Sequence, residues 1–256
     1  MISKNQAKSL RALHRKKARR EEGRFLVEGE RVVAELLTSA WEVESLYASE
    51  DFLARYRGLL DHAVFPIIEC SPEALSGVST LTSNNAAVAV VRMPEQRTDA
   101  PFQTGSWTLA LDDVNDPGNL GSLLRIADWY GIKQIVCSPE TVELYNPKVI
   151  AASMGSFLRV HVHVEPLSAF FDRLPSDIPI LGAMLEGDSV HTLAPSSTGG
   201  VLLLGSEAHG VSSALLPRIT QKVTIPSFGG AESLNVSVAA AIICDNLARI
   251  HAKPSH

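Results

Sequence analysis

From residue 107 to the C-terminus, short apolar runs alternate with helix-like stretches, and this alternation restricts the possible folds more than any single residue does. Strands are expected at 107–111, 134–137, 159–164, 180–184, 201–204 and 222–225. Helices are expected at 120–130, near 147–153, at 167–174 and over 235–251. Strands separated by helices pair in parallel, and a parallel sheet is stable only when both faces are covered. The class is therefore α/β. Upstream, 25–37 reads as a strand running into a helix, followed by short strands at 43–48, 64–68 and 87–92. A polar stretch with prolines at both ends, Pro94 and Pro101, reads as a linker. The expected division is a basic N-terminal arm (1–24), a smaller α/β domain (25–93), a linker (94–104) and a larger parallel-sheet domain (105–256).

The 256 residues, 45% hydrophobic and 20% charged, suffice for two cores. Cys70, Cys137 and Cys244 are odd in number and far apart, so neither a disulfide framework nor a zinc site is indicated, and a reducing cytoplasm is expected. No apolar run reaches the length of a membrane span, and no membrane partner is expected.

Charge is unevenly placed. Residues 1–24 hold nine Lys/Arg against Glu21 and Glu22, so +7 lies on the arm and −12 on the remainder of a chain whose total is −5. Lys4, Lys8, Arg11, Arg15 and Arg19 recur at spacings of three and four. One helix through them would carry a basic stripe, with Leu10 and Leu13 elsewhere on its surface. With Lys16, Lys17 and Arg20, these side chains suit a nucleic-acid backbone; the alternative is a solvated helix with no partner.

Three expected strand ends open into loops rich in glycine and small polar residues. The loop after the 107–111 strand runs Asp112-Asp113-Val114-Asn115-Asp116-Pro117-Gly118-Asn119, with Asn119 as helix N-cap and Gly121 in the first turn. Arg125 lies six residues on, about 9 Å along the axis, and leans back toward the loop. It either supplies a fixed positive charge there or pairs with Asp128 or Asp112. The second loop is Gly205-Ser206-Glu207-Ala208-His209-Gly210. The third leads from Ile225-Pro226 to Ser233-Leu234-Asn235. His161 and His163 share a strand face but lack a third ligand, and Asp112, Asp113 and Asp116 read as loop formers, so no metal is expected.

In order and spacing, Asn119-x-Gly121-x-x-x-Arg125, Gly205-x-Glu207-x-x-Gly210 and Ile225-Pro226 through Ser233-Leu234-Asn235-Val236-Ser237 resemble the three motifs of the SpoU/TrmH class of RNA 2'-O-ribose methyltransferases, in the SPOUT superfamily. The resemblance covers about residues 105–250. Phe25-Leu26-Val27-Glu28-Gly29 and the following helix look like the substrate-binding domain, similar to ribosomal protein L30e, that precedes the catalytic domain in relatives acting on ribosomal RNA. One departure stands at 81–88, where relatives often carry a Pro-Gln-Gly turn.

The resemblance implies a trefoil-knotted C-terminal domain, S-adenosyl-L-methionine (AdoMet) as cofactor, and a homodimer formed through the knot region. It implies that Gly205, Ile225 and Leu234 hold AdoMet and that Arg125 activates the ribose hydroxyl. Arginine keeps its proton, with a pKa above about 12, so its expected role is to stabilise a developing alkoxide. Asn119 would orient Arg125 or the ribose, Glu207 would fix its loop or a ligand group, and Ser233 and Asn235 would hydrogen-bond near the transfer centre. The expected substrate is ribosomal RNA of the 23S type, with transfer RNA second and no DNA. A non-catalytic RNA-binding assembly factor is disfavoured by the intact Asn119, Arg125, Glu207 and Asn235. A nucleotide-dependent oxidoreductase is disfavoured because the chain has no Gly-x-Gly-x-x-Gly.

Overall fold

The computed structural model describes residues 2–95, 101–194 and 199–250. Part of the expected linker (96–100) and the expected helix end at His251 lie outside the described residues. The chain divides into two compact units, Met1–Glu95 with Leu144–Leu158, and Gln96–Glu143 with Arg159–His256.

The first unit opens with α1 (Lys4–Ala12) and α2 (Lys16–Glu22), then β1 (Arg24–Glu28), α3 (Glu30–Leu36), β2 (Val43–Ala48), α4 (Glu50–Arg55), α5 (Arg57–Leu60), β3 (Ile67–Glu69), α6 (Pro72–Ser76) and β4 (Ala87–Arg92). Its sheet runs β1-β4-β2-β3. β4 is antiparallel to both neighbours and β2 is parallel to β3.

The N-terminus is not the continuous basic helix that the charge spacing suggested. Ser3 caps α1 through a capping box with Gln6, the helix stops at Ala12, and a second helix starts at Lys16 and ends on Gly23 in the left-handed region (φ 64°). Leu10 and Leu13 pack with Leu26, Tyr47, Val88 and Val90 of the sheet and with Leu75 and Val78 at α6. Each buried leucine contributes about 1.5–3 kcal/mol, enough to hold the segment against the body rather than leave it a solvated arm.

The second unit continues with β5 (Ser106–Leu111), α7 (Pro117–Trp129) and β6 (Gln134–Cys137). Here the chain departs from the expected division, because Leu144–Leu158, with α8 (Pro147–Ser153), belongs to the first unit. The reason is aromatic packing. Tyr145 lies against Phe25 with ring centroids 4.7 Å apart, and Phe157 lies 5.5 Å from Trp41. Returning to the second unit, the chain forms β7 (His161–Val164), α9 (Leu167–Asp172), β8 (Ile180–Ser189), β9 (Gly199–Leu204), β10 (Gln221–Thr224) and α10 (Val236–Ile250).

All five pairings in this sheet, ordered β10-β8-β9-β5-β6-β7, are parallel, as the strand–helix alternation requires. Ala110, Val201 and Leu203 face a core with Phe170 and Phe171 of α9. Leu109, Leu111, Leu202 and Leu204 alternate to the opposite face and are equally buried. In a parallel sheet every strand delivers its following loop to the same edge. Leu111 pairs with Leu204, so the loops after β5 and β9 emerge side by side, between the parts of the sheet wound in opposite directions.

Candidate active site

The β5 loop places its polar groups through tight local bonds. Asp112 is buried, and its carboxylate accepts from the Ser212 amide (2.7 Å), tying the end of β5 to the chain that follows the β9 loop. Asp113 sits at φ 58°, and its amide donates to Ser138 Oγ (3.1 Å). The α7 N-cap is Asp116 rather than Asn119. Its Oδ1 accepts from the Asn119 amide (2.9 Å), and Pro117 follows at the first helical position. Aspartate before proline forms the better cap because proline there forfeits no donor the helix needs. Asn119 therefore lies inside the first turn with its side chain available.

That side chain joins the three loops. Asn119 Nδ2 donates to Glu207 Oε1, and Asn119 Oδ1 accepts from Asn235 Nδ2 (3.0 Å). Asn235 Oδ1 in turn accepts from the Ser237 amide (2.9 Å) and hydroxyl (2.6 Å), capping α10. The order of donors and acceptors is forced at both ends. An ionised Glu207 can only accept and a helix N-terminus can only donate, so each amide between them has one allowed orientation. Asn119 is thus committed to Glu207 and Asn235, not to Arg125 as one reading had it.

Arg125 is exposed and has no hydrogen-bond or ion-pair partner among the described residues. Of the two carboxylates weighed as its partners, Asp128 pairs with Arg159 (2.7 Å) and Asp112 accepts from the Ser212 amide. An unpaired cation one and a half turns from a fixed polar junction is suited to an oxyanion.

The other two loops differ in construction. In the β9 loop Ser206 and Gly210 exchange backbone hydrogen bonds (3.0 and 2.9 Å). A Cβ on Gly205 would fall 2.1 Å from the Gly210 carbonyl carbon, so only glycine fits. From Pro226 to Leu234 there is no backbone–backbone hydrogen bond among the described residues. Gly229 and Gly230 have open space beside them, and Phe228 and Leu234 are exposed. Such a stretch offers N–H and C=O groups to a ligand carrying an adenine and an amino acid, and this donor set fits AdoMet. Ile225 and Gly205 are half-buried where β10 and β9 end. Ser233 is exposed and outside the junction, whose hydroxyl comes instead from Ser237. Ser237 was not singled out from the sequence, although its place two residues after a capping asparagine was a readable signal.

Of the basic residues, Lys4, Lys8, Arg15, Lys16 and Arg20 are exposed, Lys17 meets Glu21 (3.8 Å), and Arg11 donates through Nε to Gly77 O (2.9 Å). Arg19 is the exception. It is 2% exposed and donates to the carbonyls of Leu13 (3.0 Å) and His14 (2.8 Å), so it staples the α1–α2 junction and is not on the surface for a phosphate. Cys137 and Cys244 are buried, which pushes each thiol up to about 12 and leaves it unreactive. Among the described residues no group of three or more His, Cys, Asp or Glu could hold a metal.

The model of the SpoU rRNA Methylase family matches residues 106–245, the span that contains all three loops. The chain belongs to this family. Residues 4–89 match the MRM3-like substrate binding domain, which includes α1 and α2. Among SpoU relatives, the 23S rRNA (guanosine(2553)-2'-O)-methyltransferase RlmP of Bacillus subtilis is 33% identical over 96% of this chain and 97% of its own length. The AdoMet-bound rRNA methyltransferase from Sinorhizobium meliloti superposes with a TM-score of 0.87 at 25% identity, covering 97% of both chains. The SpoU methyltransferase AviRb from Streptomyces viridochromogenes, solved with AdoMet, gives 0.85 at 26% identity over 96% of this chain and 98% of its own.

Proposed function

We infer that this SpoU protein methylates a ribose 2'-hydroxyl of 23S ribosomal RNA, using AdoMet. The observation that carries the reading is the junction of Glu207, Asn119 and Asn235, drawn from three separate loops, with an unpaired Arg125 on the same helix as Asn119. The likenesses to RlmP and to the rRNA methyltransferase from Sinorhizobium meliloti support ribosomal over transfer RNA.

AdoMet, when bound, supplies an electrophilic methyl on a sulfonium. The ribose 2'-oxygen would gain negative character as its proton passes to a phosphate oxygen of the RNA, and would lose it again as its electron pair forms the O–CH₃ bond and the C–S pair stays with the departing sulfur. Arg125 stays protonated throughout and stabilises that charge in place. Gly205, Ile225 and Leu234 hold the donor, largely through main-chain groups. Glu207, Asn119 and Asn235 keep the acceptor and donor sides in register, and Ser233 is left for a ligand contact. Exposed Lys4, Lys8, Arg15, Lys16, Lys17 and Arg20, with the free end of Arg11, meet RNA phosphates. Replacing Arg125 with Ala should lower kcat by about 10²–10³ or more while AdoMet affinity stays within a few fold. Tritium transfer from labelled AdoMet to 23S rRNA measures the first and calorimetry the second; turnover at the wild-type rate would refute the assignment.

The second unit is expected to be trefoil-knotted and to dimerise. The support for the dimer is apolar exposure on its helices, Trp129 on α7 being 84% exposed and Val238 on α10 47%. Light scattering at micromolar concentration should give twice the 27.6 kDa chain mass, and a monomer would exclude the dimer. No described helix is long and apolar enough to cross a membrane, and a cytoplasmic location fits the ribosomal substrate.

A further inference from the structure

The segment from the last residue of α6 up to β4, Ser76 to Ala86, has no charged residue, in a chain that is 20% charged. It is not a loose connection. Glu28, at the end of β1 with its side chain 7% exposed, accepts through Oε2 from Ser79 Oγ (2.6 Å), Thr80 N (2.9 Å) and Thr80 Oγ1 (3.0 Å). Ser76 Oγ exchanges bonds with both main-chain groups of Asn84 (3.1 Å each). Buried Asn84 donates to Ser79 Oγ and to Ala87 O, and its Oδ1 accepts from the Ala86 amide. These ties leave three exposed side chains with no partner among the described residues, Thr82, Ser83 and Asn85. A loop fixed at so many points, with only hydroxyl and amide tips free, is ordered in advance to exchange hydrogen bonds with something outside the fold.

The same loop is joined to the basic helix. Arg11 Nε donates to Gly77 O, His14 lies 3.0 Å from Val78 O, and the two terminal amino groups of Arg11 have no partner among the described residues. Lys4 and Lys8 stand on the same face of α1, at i−7 and i−3 from Arg11, both exposed. Cations that are indifferent to sequence therefore adjoin neutral donors and acceptors that can read it.

We propose that α1 and the 79–85 loop form one RNA-reading surface, in which Lys4, Lys8 and Arg11 hold phosphates and Thr82, Ser83 and Asn85 hydrogen-bond to the bases of an unpaired stretch. It rests on the functional reading above and deepens it, assigning the choice of RNA to a site apart from the chemistry. Unpaired RNA fits because its base edges are accessible, whereas the deep groove of an RNA duplex hides them. A protein partner fits poorly, since no large apolar side chain is exposed among the described residues of 2–22 or 76–86, and protein interfaces are built around such anchors.

The test compares the full chain's affinity for 23S rRNA transcribed in vitro with that for a scrambled RNA of the same length, at several salt concentrations. R11Q should weaken both by the same factor and make the log–log salt slope shallower by about 1. The triple variant T82A/S83A/N85A should lose about tenfold or more on the 23S transcript alone, bringing the ratio toward one, with the salt slope unchanged. A triple variant that keeps the wild-type ratio would overturn the proposal, as would an R11Q slope equal to wild type. The three loop side chains have no partner among the described residues, so Tm and AdoMet affinity of the triple variant should match wild type; a fall in either would assign them to stability and overturn it too. Methylation of the 23S transcript by the unaltered protein is scored in parallel. Its absence counts against the functional reading, whereas a wild-type ratio in an active enzyme counts only against this surface.

Discussion

The β9 loop and the segment after β10 both looked like generic glycine-rich ligand turns, and the structure builds them in opposite ways. The first is closed on itself, with Ser206 and Gly210 bonded through their main chains and Gly205 pressed against them. The second, Pro226 to Leu234, has no backbone–backbone bond among the described residues and has open space at its glycines. A glycine motif is thus not one device. In the first loop glycine allows two stretches of backbone to approach, and in the second it leaves the backbone uncovered.

Replacing Gly205 with Ala is the harshest test of this contrast. The new methyl would sit 2.1 Å from the Gly210 carbonyl carbon, so the loop must open. AdoMet binding should be lost, with about 1–3 kcal/mol or more of stability. Thermal melting and calorimetry would show it, and an unaltered Tm with normal binding would contradict the closed-loop account. Asn119→Ala comes next. It leaves Glu207 and Asn235 unlinked at a half-exposed site where water replaces part of the loss, so about a tenfold drop in kcat/KM is expected, with little change in Tm. An asparagine that mattered only as a helix cap would instead reduce stability and leave turnover alone. Gly230→Ala should be the mildest. With nothing within 4 Å of its Cβ position, stability should stay within about 0.5 kcal/mol. AdoMet affinity should fall by a few fold as the added methyl covers the main chain. A variant with unchanged affinity would move the cofactor contacts away from that part of the loop.

A similar division separates the basic residues. Arg11 and Arg19 occupy the same expected stripe, yet Arg19 is buried at the α1–α2 junction and Arg11 is half committed to Gly77 and half free. Spacing alone could not separate them, because charge periodicity predicts a helix face but not which face the sheet takes. The leucines carried that information: Leu10 and Leu13 mark the docked side, and a helix docked there has to break before Lys16.

The alternation of apolar runs with helices was enough to set a parallel α/β sheet with its loops at one edge, because strand pairing direction follows from chain connectivity. Asn119, Glu207 and Asn235, which the structure joins at the candidate site, could likewise be picked out in order. Other features depended on contacts between residues far apart in sequence. Asn119 meets Glu207 and Asn235 across 88 and 116 residues, Asp128 and Asp112 take partners other than Arg125, and Leu144–Leu158 crosses to the first unit to stack on Phe25 and Trp41. Local periodicity reports which face of an element is apolar. Which polar groups satisfy one another is decided only when the packed elements bring them within hydrogen-bonding distance.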